Sequence, residues 1–292
     1  MTKWTFTAEP GYFDDLVALA ATHPGKRLTT QPNLSLTERS YPSDTEDGKD
    51  KRQWARFAEH IKALNRDSPA NVSYKLLYLT RHGEGYHNKK AAEVGEEEWD
   101  NHWSLLNGDD KTTWFDAFLT PAGEKQADNL STFWTTLLDK AGAPLPQSLY
   151  CSPLARCLQT SKHVFQPVMQ AHGLPYRPTV KEDLREHFTL HTCDMRRPRS
   201  WIAENWPEYV IEDGFTEEDV LGKLGRWETC AEHVARKTRA LRDVFEEDES
   251  MVVCWTVHSM AIQAIFMALG EKEFLMKEAT SLAVLVKGVR ED

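Results

Sequence analysis

Long apolar runs are missing from this 292-residue sequence, and no stretch approaches the roughly 20 residues that a membrane-spanning helix needs. The first residues carry acidic side chains and no apolar block of signal-peptide length, so a cytoplasmic location is the default expectation, with no membrane partner. Excess positive charge is missing too. With 35 Lys and Arg against 45 Asp and Glu, the formal net charge is -10. That balance disfavours a nucleic-acid partner, because affinity for a phosphate backbone comes mostly from cations displacing counterions. It does not exclude one phosphate in a local basic pocket. Cysteine is sparse: Cys151, Cys157, Cys193, Cys230 and Cys254 are odd in number and scattered, unlike a disulfide framework, and are expected as buried free thiols. His187, His191 and Cys193 make the one metal-like pattern, and it lacks a fourth ligand at recognisable spacing, so no metal and no cofactor is expected. Long Pro/Gly or charge-only tracts and internal repeats are also absent, and the 40% hydrophobic, 27% charged mix is that of a folded, enzyme-sized chain.

The chain is expected to form one domain over residues 1–292. Residues 1–70 read as a packing extension: a polar stretch at 41–51, then a helical segment at 52–64 with Trp54, Phe57, Ile61 and Leu64 at helical spacing. From residue 74 strands and helices alternate. Residues 74–80 (YKLLYLT), 148–151 (SLYC), 251–257 (MVVCWTV) and 281–289 have strand length and apolar content, and 121–138, 153–168 and 260–269 read as helices, with Pro121 in a first turn. This alternation predicts an α/β domain, a three-layer sandwich with a mainly parallel central sheet. Two segments, 89–116 and 180–225, lapse from the alternation and read as cap insertions.

Three of the strand candidates run straight into residues suited to phosphate: Arg81-His82-Gly83, Ser152-Pro153 with Arg156 in the next helix, and His258-Ser259. In an open parallel sheet the carboxyl ends of the strands share one edge, where ligands bind, so the three segments converge. Two arginines and a histidine neutralise a phosphate dianion, and arginine's planar fork holds two oxygens at once. Gly83 lets the backbone approach the ligand, and the helix starts after Ser152 and Ser259 add amide donors. A neutral imidazole attacks phosphorus, and neighbouring cations keep it neutral; His82 suits that role, while His258 suits a phosphate-binding cation. Arg196, Arg197 and Arg199 form a charge cluster that is either a solvated face or a site for a second anion, with Arg196 the candidate contact.

The ordered set Arg81-His82-Gly83-Glu84 with Asn88, Leu119-Thr120-Pro121-Ala122-Gly123, Ser152-Pro153-Leu154-Ala155-Arg156 with Thr160, Leu184-Arg185-Glu186-His187 and Thr256-Val257-His258-Ser259 resembles the histidine phosphatase superfamily, also called phosphoglycerate mutase-like, over residues 74–287. The resemblance implies a three-layer α/β/α fold and a phosphorylated His82. It places Arg81, Arg156 and His258 around the phosphate, with Asn88 as an additional contact, and aligns Glu186 with the acid that protonates the leaving oxygen; Asp194 is the alternative acid. Ser259 after His258 departs from the acid phosphatase and phytase branch, which carries an acid there. The stretch Arg81 to Asn88, Trp114-Phe115-Asp116-Ala117 and His191-Thr192-Cys193-Asp194 look like the fungal and plant phosphoglycerate mutase-like proteins, although Met195 stands where some of these have a basic residue.

Function is expected to be hydrolysis of a small organic phosphate monoester by way of a phosphohistidine. The alternatives are a phosphomutase, disfavoured because Gly85 and His87 replace the Ser and Trp of glycolytic mutases, and a phosphate-binding regulatory protein without turnover. The acidic residues of the two insertions predict a negative field that disfavours highly phosphorylated substrates, and exposed tryptophans among Trp99, Trp103, Trp201 and Trp206 are candidate substrate contacts.

Overall fold

The computed structural model describes residues 3–45, 48 and 51–291; part of the polar stretch at 41–51 lies outside the described residues. The chain opens with strand β1 (Lys3–Ala8), helix α1 (Leu16–Thr22), strand β2 (Arg27–Leu28) and helix α2 (Gln53–Asp67). The alternating part follows as β3 (Val72–Arg81), α3 (Tyr86–Val94), α4 (Glu96–Asn101), α5 (Pro121–Thr136), β4 (Ser148–Cys151), α6 (Ala155–Ala171), β5 (Thr179–Val180), α7 (Arg199–Asn205) and β6 (Val210–Ile211). It ends with α8 (Cys230–Glu247), β7 (Val252–Val257), α9 (Ser259–Ala268), β8 (Leu275–Met276) and β9 (Ser281–Glu291).

The main sheet has the order β1-β9-β3-β7-β4-β5-β6. From β3 to β6 all neighbours are parallel, whereas β9 runs antiparallel to both β3 and β1. The period of two along β3 sends its side chains to opposite faces. Tyr74, Leu76 and Tyr78 pack with Trp54 and Phe57 of α2, Leu130 and Trp134 of α5 and Val164 and Phe165 of α6. Leu77 and Leu79 pack with Leu16 of α1, Leu241 and Val244 of α8 and Ile262 and Phe266 of α9. Helices therefore cover both faces of a mostly parallel sheet, the α/β sandwich expected.

Local chemistry explains the helix starts and stops. Thr120 caps α5 by accepting from Gly123 N, with Pro121 at the first helical position, and Thr229 with Glu232 forms a capping box on α8. The segment expected as a helix to 138 loosens after Thr136 into a wider π turn over Leu137–Ala141, closed by Gly142 at φ 75°. Helix α6 starts two residues later than expected and runs through Pro167 to Ala171.

Residues 1–70 do more than pack. Strand β1 adds an edge to β9, and β2 pairs with β8. Leu28 O accepts from Lys277 N at 2.8 Å and Thr30 Oγ1 from Ser281 N at 3.0 Å, so this segment braces the turn between β8 and β9 that runs behind the end of β3. The two insertions lean on each other: Thr192 Oγ1 donates to Leu106 O at 2.6 Å and Asp116 N to Thr192 O at 3.2 Å.

The loop after β3 meets the start of α5 backbone to backbone. A Cβ on Gly123 would lie 2.0 Å from Glu84 O, and one on Gly83 2.5 Å from Gly123 O. Backbone cannot yield as a flexible side chain does, so Gly123→Ala is expected to cost about 1–3 kcal/mol or more through overpacking. Thermal melts should show a Tm lower by about 2–10 °C, and an unchanged Tm would contradict this account of the contact.

Candidate active site

Three neighbouring strands deliver the site. In the parallel registers Arg81 lies opposite Val257 on β7, and Thr256 opposite Cys151 on β4. The residues that follow, His82, His258 and Ser152, therefore leave the sheet at one edge. Helix α6, starting just after β4, adds Arg156.

His82 is buried, and its Nδ1 lies 2.7 Å from Gly83 O. A carbonyl only accepts, so Nδ1 carries the proton and Nε2 the lone pair. Nε2 faces Arg156 Nε at 3.3 Å, and the same Nε donates to His258 Nδ1 at 3.2 Å. Burial, then Arg156 and Arg81, hold His82 well below the usual histidine range, so the ring is neutral and nucleophilic. The loop is braced on several sides: Gly83 N donates to Thr160 Oγ1 at 3.0 Å, Glu84 N to Gln126 Oε1 at 2.9 Å, and Thr120 Oγ1 to Glu84 Oε1 at 2.6 Å. The Leu119 to Gly123 motif thus supports the loop that carries His82.

Arg156 is 1% exposed and reaches across to the second insertion, where Nη1 donates to Cys193 O at 2.6 Å and Nη2 to Asp194 Oδ1 at 3.2 Å. Arg81 donates from Nη1 to Met276 O and pairs through Nη2 with Glu278 at 2.8 Å, while its Nε is buried without a partner. That Nε is an unused donor on a charged group beside His82. His258 differs from the expectation that it serves as a cation. Burial and then Arg156, His82, Lys237 and His87 depress its basicity strongly, so it is neutral here; Nδ1 accepts from Arg156, and Nε2 donates to Ser152 Oγ at 2.7 Å. A phosphate dianion would reverse the sign of the local field and favour its protonation.

Glu186 accepts from His187 N at 2.9 Å and from Met260 N at 3.2 Å, which ties it to the start of α9. Burial, and next the nearby Asp194 carboxylate, push its carboxyl up. Asp194 is committed elsewhere, accepting from Arg156 and from Thr189 Oγ1 at 2.9 Å. Asn88 spends its Oδ1 on Gly85 N at 3.0 Å, capping α3, and its amide N–H groups meet no acceptor among the described residues. Ser259 is the first residue of α9, half-buried beside His258.

Arg196 is not a substrate contact in this structure. Its guanidinium donates to Glu182 Oε2 at 2.7 Å, to Arg197 O and Glu217 O, and to Thr216 O and Glu218 O, and it lies over the Phe215 ring. With every N–H direction spent on protein oxygens, none is left for an anion. The metal-like trio is also divided. His187 lies with Glu228 and His233, and His191 and Cys193 lie with Asp194, and each set holds a carboxylate already paired with an arginine. Trp99 and Trp206 are buried in packing, and it is Trp227, over His191, that is 54% exposed.

Sequence reasoning passed over Glu278 and the role of Ser152, because neither partner lies near its arginine or histidine along the chain. Cys151, Cys157, Cys193 and Cys254 are buried, and burial pushes each thiol up, away from the reactive thiolate. Alkylation of the native protein should label the exposed Cys230 alone, with activity retained; peptide mass spectrometry showing early labelling of Cys157 or Cys193 would contradict this.

A model of the histidine phosphatase superfamily (branch 1) matches residues 77–282. A protein of Arthroderma benhamiae named "Probable phosphoglycerate mutase" is 37% identical over 287 residues, covering 97% of this chain and 84% of the relative. A "Probable phosphoglycerate mutase" of Saccharomyces cerevisiae is 32% identical, covering 77% of this chain and 85% of its own length. "Phosphoglycerate mutase-like protein 1" of Arabidopsis thaliana is 30% identical over 62% of this chain and 67% of that protein. With a buried histidine pair bridged by an arginine at one sheet edge, a family model matching residues 77–282 and a relative 37% identical across 97% of its length, the chain belongs to the histidine phosphatase superfamily.

Proposed function

We propose that the chain hydrolyses a small organic phosphate monoester through a phosphohistidine on His82 Nε2. The observation that carries this reading is the Nδ1 bond to Gly83 O, which leaves Nε2 with its lone pair in a pocket of two arginines. A phosphate oxygen replaces the long bond between Arg156 Nε and His82 Nε2, drawing the guanidinium onto the phosphate and freeing the lone pair. His82 Nε2 then attacks phosphorus as the bond to the ester oxygen breaks, and Glu186 delivers its proton to that oxygen. Water next attacks the phosphohistidine, Glu186 takes the proton back, and inorganic phosphate leaves. Arg156 and the unpartnered Nε of Arg81 stabilise charge on the phosphoryl oxygens throughout.

Several of the acidic groups that set the expected negative field are spent within the protein. Asp219 pairs with Arg185, Glu212 with Lys181 and Glu208 with Lys162, whereas Glu96, Glu97 and Glu98 stay exposed on α4. The reading is a monophosphate with at most one further anionic group. The relatives' names favour a second reading, a mutase, in which a hydroxyl replaces the attacking water.

Brief exposure to 32P-labelled substrate should label wild type on histidine and release labelled phosphate in step with substrate loss. His82→Ala should give neither, with turnover lower by at least about 1,000-fold. Label without phosphate release supports a mutase, and absence of both in wild type supports a binding protein.

Glu186→Gln should slow an alkyl phosphate by roughly 100- to 10,000-fold and an aryl phosphate by less than about tenfold, because only the poor leaving group needs a proton. The raised carboxyl loses its proton as pH rises, so kcat/KM for the alkyl ester should fall on the alkaline side in wild type, and this limb should vanish in Glu186→Gln. The depressed His82 places its own limb at acid pH. Equal losses for both esters would move the acid to Asp194 or to water.

A further inference from the structure

His87, in the first turn of α3, has no part in the chemistry described so far. Its ring lies 5.7 Å from that of His82, at 50° between planes. Its Nδ1 is buried and makes no hydrogen bond. The ring rests on Gly85, where a Cβ would come within 2.6 Å of His87 Nδ1, so the absence of a side chain at residue 85 makes this placement possible. A buried N–H without an acceptor is rarer than an under-used lone pair, which puts the proton on Nε2. Nε2 is not among the buried unpartnered atoms and makes no hydrogen bond with the described residues, so it is accessible, on a ring that neighbours that of His82. Burial, then Arg156, His82, Arg81 and His191, keep the ring unprotonated, which places His87 in the same electrostatic neighbourhood as the nucleophile.

We propose that His87 is a further phosphate-binding residue, donating from Nε2 to an oxygen of the phosphoryl group that His82 receives. The proposal rests on the phosphohistidine reading of the site. As a neutral donor His87 adds direction without charge, which complements the buried guanidiniums: it helps to orient the tetrahedral group for attack. The pair Gly85 and His87 acts as a unit, since any side chain at 85 would displace the ring from this position.

The test uses orthovanadate, which mimics a phosphoryl group and needs no turnover, with the full chain and calorimetry. His87→Phe keeps the ring and loses the donor; its affinity for vanadate should fall by about 10- to 100-fold and its kcat/KM by roughly 100- to 1,000-fold. His87→Gln, which carries an N–H near the place of Nε2, should stay within about tenfold of wild type for both. Wild-type affinity in His87→Phe, equal losses in the two variants at matched Tm, or no vanadate binding by wild type would each overturn the proposal. Should the variants fail to fold, 15N NMR of wild type decides: vanadate should slow exchange of the His87 Nε2 proton and shift its resonance, and an unchanged signal would overturn the proposal. Vanadate binding that depends on His87 in a protein releasing no phosphate would instead remove the phosphatase reading and leave this one standing.

Discussion

A single buried guanidinium, that of Arg156, joins the edge of the sheet to the insertions above it. Its Nε lies between His82 and His258, and its other nitrogens end on Cys193 O and Asp194. An ion taken this far from water costs several kcal/mol unless it is paired and its donors are met. Asp194 and the Cys193 carbonyl meet that need in the resting site, so lifting the second insertion would strand a buried charge. Thr160 fixes the helix end of the same unit, donating to Arg156 O at 2.7 Å while accepting from Gly83 N. The loop after β3, α6 and the second insertion are thus tied to one another through Arg156.

Asp116 does for the two insertions what Arg156 does for the site. It is fully buried at φ 41°, a conformation uncommon for a residue with a side chain. Its carboxylate accepts from Ala155 N at 2.8 Å, the residue before Arg156, and from Arg197 at 2.8 Å. The Arg197 guanidinium is in turn held against Phe118 and Trp201, 4.9 and 4.5 Å from their ring centres. Burial of aromatic surface and of one ion pair thus sets where α6 begins, and with it where Arg156 points.

One environment gives opposite acid–base characters to two groups. Low polarity penalises whichever form is charged, so the same burial that lowers the basicity of His82 pushes the Glu186 carboxyl up. The arginines deepen the first effect, and Asp194 adds to the second.

The sequence by itself determined the strand and helix alternation from residue 74 onward and which residues would gather at the sheet edge, because strand periodicity and parallel pairing leave little choice about where Arg81, His82, Ser152 and His258 emerge. It did not determine what the charged residues between the strands would do. Arg196 and Arg81 look alike as letters, yet one is consumed by Glu182 and loop carbonyls and the other keeps a free Nε. Glu278, supplied by the turn between β8 and β9, and His87, seated on Gly85, acquire their surroundings from chain segments far away or from space that a glycine leaves. The antiparallel β9 and its pairing with β1 were likewise settled only when the chain closed, since strand direction depends on the path between strands. Local pattern is written in covalent neighbours; hydrogen-bond partners, burial and the resulting charge states arise from contacts between residues distant in sequence, and those exist only in the folded chain.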